Sequence, residues 1–160
     1  MSREAFLNQY DQTWKILEAT IDGYDSESWI HLGLGYMTPV KVAFHILKGF
    51  KYYMREKSVI EFPSGVSLES DLKNTSDEDL PSQKDMLICL QNLKGKSADW
   101  LSNLDLDGNN ETFPWAGKSN IGVVIFLLRH TLFHMGELNS LLFVKRDGNL
   151  EDNWMMGFSK

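Results

Sequence analysis

Apolar residues recur at alternating three- and four-residue steps in four segments of this chain, the pattern of helices that each bury one face. In residues 2–22 the steps fall on Leu7, Tyr10, Trp14, Leu17 and Ile21. Gly23 follows as a residue able to take the left-handed conformation that closes a helix. A second segment opens at Thr38-Pro39, a hydroxyl N-cap followed by proline at the first helical position. It runs to about residue 57, with Ala43, Ile46, Leu47, Phe50 and Met54 as its stripe. The third covers residues 82–104, where Met86, Leu90, Leu93, Ser97 and Trp100 mark the face. The fourth covers residues 119–146, with Ile121, Val124, Ile125, Leu128, Leu132 and Met135 as its main stripe and Asp147-Gly148 as its stop.

The connections differ in length, and the difference predicts topology. Residues 58–81, rich in Ser, Asp and Glu with two prolines, form a connection long enough to travel back along a helix. The others suit antiparallel neighbours. An all-α fold is expected, a four-helix bundle with one long crossover between the second and third helices. Residues 105–118 carry turn signals and then Phe113-Pro114-Trp115, expected as an irregular stretch with its aromatics packed onto the bundle.

At 160 residues the chain is expected to form one domain, residues 1–160. Its net charge of −6 argues against a nucleic-acid groove, which needs clustered Lys and Arg. The longest apolar run, residues 121–128 with one glycine, is too short to span a bilayer, and the first residues lack the apolar stretch of a signal peptide. A single cysteine, Cys89, fits a reducing compartment and reads as a packing residue. A cytoplasmic protein without nucleic-acid or membrane partners is expected.

The candidate chemistry lies in the histidines. His130 and His134 are four residues apart and so share one helix face, while His45 stands on the second helix. A histidine on an apolar helix is more often a satisfied core residue than a ligand. Here, however, His130, His134 and Glu137 fall nearly opposite the main stripe of their helix. His45 likewise leaves its stripe, sharing a face with Lys41, Gly49 and Tyr52, and Gly49 makes room one turn beyond it. Three imidazoles form a His₃ set with an open position for water or substrate, suited to zinc, nickel, iron or copper. The zincin motif is absent because Thr131 follows His130, and no helix carries the Glu-x-x-His pairs of di-iron bundles.

Thr38-Pro39 opening a helix with His45, followed far downstream by Arg129-His130-Thr131-Leu132-Phe133-His134-Met135-Gly136-Glu137-Leu138-Asn139, resembles the DinB/YfiT-like superfamily. The resemblance follows the helix order of the whole chain, and its sharpest part is His-x-x-x-His-x-Gly-Glu-Leu. It implies a four-helix bundle with a long crossover, metal ligands at His45, His130 and His134, a bound zinc or nickel ion, and frequently a homodimer. Some members of that superfamily are transferases that use low-molecular-weight thiols such as bacillithiol or mycothiol.

Glu137 is the candidate catalytic residue. It is placed to accept a hydrogen bond from a ligand imidazole, to act as a base on metal-bound water, or to pair structurally with Arg129 or a lysine. Tyr52 is a candidate hydrogen-bond donor to a bound molecule, against a packing role. His31 is expected in a surface loop, with a fourth-ligand role as the outside alternative. The leading expectation is a metal-dependent transferase or hydrolase acting on a small molecule. A non-catalytic metal- or ligand-binding stress-response protein is the alternative, and a structural bundle with packed histidines the third reading.

Overall fold

Capping decides where several of the helices start. The computed structural model describes residues 2–57, 59–69, 72 and 75–146. In it the Ser2 hydroxyl accepts from the Ala5 N–H and opens α1, Arg3–Asp22. Asp25 accepts from the Ser28 N–H and opens α2, Ser26–His31, a short helix that the hydrophobic pattern does not show. The next helix, α3, spans Pro39–Tyr53. Ser82 accepts from the Asp85 N–H at 3.1 Å and begins α4, Gln83–Asn103. The last described helix, α5, runs Asn120–Lys145. Its expected stop at Asp147-Gly148 lies outside the described residues.

Three expectations about helix ends change. Thr38 precedes Pro39 as foreseen, but its hydroxyl makes no capping bond and is buried without a partner. The helix it opens ends at Tyr53 instead of near residue 57. Arg55 takes φ 60°, and the Glu56 N–H donates to the Lys51 carbonyl at 2.9 Å while the Arg55 N–H donates to that of Tyr52. That closure is normally made by glycine. Gly23, in contrast, ends α1 at φ −72°, in the right-handed region. Its missing side chain leaves room where the end of α5 comes close: a Cβ there would lie 2.9 Å from Leu142 Cδ2.

One apolar core takes side chains from all four long helices, including Trp14 and Leu17 of α1, Phe44 and Phe50 of α3, Leu90 of α4 and Leu127 of α5. Helix α1 packs on α4 and α5, and α3 packs on the same two. Several polar atoms that enter this core are bonded at defined points. Trp14 Nε1 donates to Ser97 Oγ at 2.9 Å, and the Tyr10 hydroxyl donates to the Val124 carbonyl at 2.8 Å. The Trp29 indole of α2 donates to the Pro81 carbonyl, fastening the end of the long connection. Each large apolar side chain fully buried this way contributes about 1.5–3 kcal/mol.

The long connection is not featureless. It holds a short antiparallel hairpin, β1 (Ile60–Glu61) and β2 (Ser67–Leu68), with Ile60 opposite Leu68, and a 3₁₀ turn at Asp77–Asp79. Ile60, Phe62, Leu72 and Leu80 anchor it by inserting into the core. Between α4 and α5, the buried Asn110 amide donates to the carbonyls of Phe113 and Gly117 and shapes the loop. Phe113 packs down as expected; Trp115 stays 55% exposed and donates through Nε1 to the Tyr53 hydroxyl.

Helix α5 is apolar around most of its circumference, and its buried face matches the expected one only in part, sharing Val124 and Met135. Val123, Val124, Leu127, Thr131, Met135, Leu138 and Leu142 are buried, whereas Ile125 is 44% exposed and Leu128 and Leu132 are only partly covered. Thr131 can be buried because its hydroxyl donates to the Leu127 carbonyl. The rotation moves His130 and His134 from the far side of the helix to the flank of its buried face, next to α3. By length and composition α5 is also long and apolar enough to cross a membrane; in this fold it lies against α1 and α3.

Candidate metal centre

Packing of α3 on α5 brings three imidazoles together. The ring centroids of His45, His130 and His134 are 4.5–5.0 Å apart, and each residue offers a ring nitrogen within 4.8 Å of the other two. His45 Nε2 and His130 Nε2 approach to 3.1 Å. Ligand nitrogens around a tetrahedral zinc, at about 2.0–2.1 Å from the ion, stand about 3.3 Å apart. The donor set and its closest spacing therefore suit a first-row divalent ion.

The surroundings prepare each ring differently. His130 sits under Phe126, stacked at 6.1 Å and 19°, and beside Gly49. A Cβ on Gly49 would lie 3.3 Å from His130 Cε1, so the glycine supplies the space that this ring uses. Burial, followed by the neighbouring His134 and His45 charges, pushes the His130 pKa down to about 4. It is thus neutral at pH 7, the form that a metal accepts. Its Nδ1 is buried without a hydrogen-bond partner.

His134 is oriented from its own helix. Its Nδ1–H donates to Glu137 Oε2 at 2.6 Å, which leaves the lone pair on Nε2. A carboxylate behind a ligand imidazole fixes the ring and raises its basicity. Arg129 takes no part in this pair; its guanidinium lies over the Phe126 ring at 5.4 Å. Phe133 stands edge-on to His134 at 5.2 Å on the outer side.

Two clefts open on the cluster, with His45 in the lining of both. One, about 350 Å³, lies between His45, His134 and Glu137 and is bounded by Tyr36, Met37 and Lys41. The other, about 390 Å³, lies between His45 and His130 and is bounded by Lys48, Gly49 and Tyr52. Tyr52 is therefore at a cleft, its ring against Tyr53 and Phe113. Lys48 and Tyr36 escape a reading of the sequence, because a lysine three residues from a helical histidine looks like an ordinary solvated face.

The other candidates lie elsewhere. His31 ends α2 rather than occupying a loop; it is exposed, with Nδ1 3.7 Å from an Asp77 carboxylate, and is not one of the clustered histidines. Cys89 is buried in α4 with its thiol toward the Glu61 carbonyl, and burial raises its pKa. It borders a larger cavity of about 700 Å³ near the hairpin that holds none of the histidines. Two lysines there are already engaged, Lys51 with the Val59 carbonyl and Lys96 with Glu56. Comparisons of the chain with protein-family models, with curated proteins and with solved structures each find no match.

Proposed function

We propose that this chain is a metal-dependent enzyme with the four-helix-bundle architecture of the DinB/YfiT-like superfamily, the long connection serving as the crossover between the helices that carry His45 and Cys89. His45, His130 and His134 would hold a divalent ion, zinc or nickel, and a small molecule would react at the open side. The observation that carries this reading is the convergence of three imidazole nitrogens from two helices within 4.8 Å, one ring neutral by burial and another held by Glu137. When bound, such an ion supplies Lewis acidity to an oxygen or sulfur donor.

The residues then divide the work. Glu137 keeps the His134 ring oriented, Gly49 and Phe126 define the space of His130, and the two clefts admit substrate. A transferase with a low-molecular-weight thiol as co-substrate and a hydrolase are the two reactions to test. Protein purified without affinity tag or chelator should contain about one ion per chain, and His130→Ala should lose it while keeping its helical circular dichroism. Full metal content in that variant would end the proposal.

Helix α5 also turns Ile125, Phe133, Phe143 and Val144 outward, with Phe133 66% and Val144 70% exposed. An apolar helix face of this kind supports a two-fold homodimer built on α5. Sedimentation at micromolar concentration should show twice the chain mass, and a monomer there would count against it.

A further inference from the structure

The two clefts beside the histidines share a chemical plan, and it concerns what they bind. Each contains one partly buried lysine from α3, Lys41 in the first and Lys48 in the second, with His45 between them. Positions 41, 45 and 48 are four and three residues apart, so all three share one helix face. At 1.5 Å per residue the two lysine Cα atoms are about 10.5 Å apart along α3. Lys41 Nζ donates to the Gly35 carbonyl at 3.2 Å, which holds it at the cleft edge. Among the described residues, neither lysine has a carboxylate within ion-pair distance.

That arrangement runs against the charge of the chain, whose net value is −6. The one carboxylate lining either cleft, Glu137, is engaged by His134. Each cleft also has apolar lining beside its lysine, Met37 and Val42 in the first and Phe44 and the Tyr53 ring in the second. We infer that the clefts together accept an extended small molecule with an anionic group at each end, a dicarboxylate, lying across the histidines with one carboxylate at Lys41 and the other at Lys48. The inference names the substrate class of the site proposed above and rests on that reading for its chemistry, but the lysines and clefts exist without the ion.

The test is isothermal calorimetry on the whole chain, first with zinc alone, then with linear dicarboxylates from succinate to sebacate and the matching monocarboxylates. A dicarboxylate of intermediate length should bind about tenfold or more tighter than its monocarboxylate, since each end adds a charge-assisted bond. Lys41→Met and Lys48→Met should each erase that advantage, while Lys48→Arg should retain most of it; circular dichroism checks that the variants fold. Equal affinity for the mono- and dicarboxylates, or Lys→Met variants that keep the advantage, would overturn the inference. Failure to take up zinc would instead remove the metal reading. The same dicarboxylate comparison on the zinc-free protein would then decide the lysine assignment alone, with a lysine-dependent preference upholding it and none overturning it.

Discussion

Trp14 and His130 both sit midway along a long helix and both meet a neighbouring helix, yet their surroundings follow different rules. Trp14 is buried with its ring 4.2 Å from that of Phe50, and its single polar atom donates to Ser97, which donates onward to the Lys94 carbonyl. His130 lies beside a gap left by a glycine, faces two other imidazoles, and keeps Nδ1 buried without a partner. A buried polar atom left unpaired costs about 1–3 kcal/mol. The first region is arranged for stability. The second accepts a cost in stability, in keeping with the binding role proposed for it.

Truncation should separate the two regions most widely. Trp14→Ala removes a large packed side chain and the hydrogen bond that Ser97 Oγ accepts, an expected loss of about 3–5 kcal/mol in denaturant titration. Against a typical domain stability of about 5–15 kcal/mol that is a large share. His130→Leu replaces a desolvated imidazole with an apolar group of similar size. Its zinc-free stability should stay the same or rise, while metal binding disappears. A His130→Leu variant as unstable as Trp14→Ala would make the imidazole a structural residue after all.

A subtler change tests the support of the cluster. Glu137→Gln keeps a carbonyl oxygen able to accept from His134 Nδ1 but removes the charge. Metal affinity should fall about 10–100-fold, measured by competition with a chromophoric chelator, with little change in unfolding midpoint. Unchanged affinity would mean that the 2.6 Å contact is a surface ion pair without influence on the ligand ring.

How far the sequence carries this contrast depends on how local each cause is. Ser2 and Ser82 cap through bonds to residues three positions on, so the starts of α1 and α4 were legible. Helix α2 has six residues, too few to display a period, although Asp25 caps it. Gly23 cannot be understood without Leu142, more than a hundred positions away. On α5 the apolar residues run nearly all round, so spacing could not choose between Ile125 and Leu127 as the inward residue. A buried Thr131, satisfied by its own helix, pointed the wrong way. The three histidines that the structure gathers are those picked out by the spacing of 130 and 134 and by the helical setting of His45. The lysines flanking them needed the α3–α5 packing, because only the clefts distinguish Lys48 from a solvated side chain.

The smallest effect is the most specific to His130. Its pKa is lowered from 6.5 to about 4, chiefly by burial, so between those values the unfolded chain binds a proton that the folded chain does not. Acidification through that window therefore favours unfolding. The contribution is fully present above pH 6.5, declines as pH falls, and is gone below about pH 4. Because the ring is only partly buried, solvent screening reduces the effect to about 1 kcal/mol. Urea titrations in excess chelator at pH 7.5, 5.5 and 4 should show the wild type losing more stability than His130→Gln by that amount. The comparison of slopes cancels titrating groups remote from the cluster, and it needs no ion. Identical slopes would place His130 in contact with water rather than beneath Phe126, and the two regions would then differ less than their packing implies.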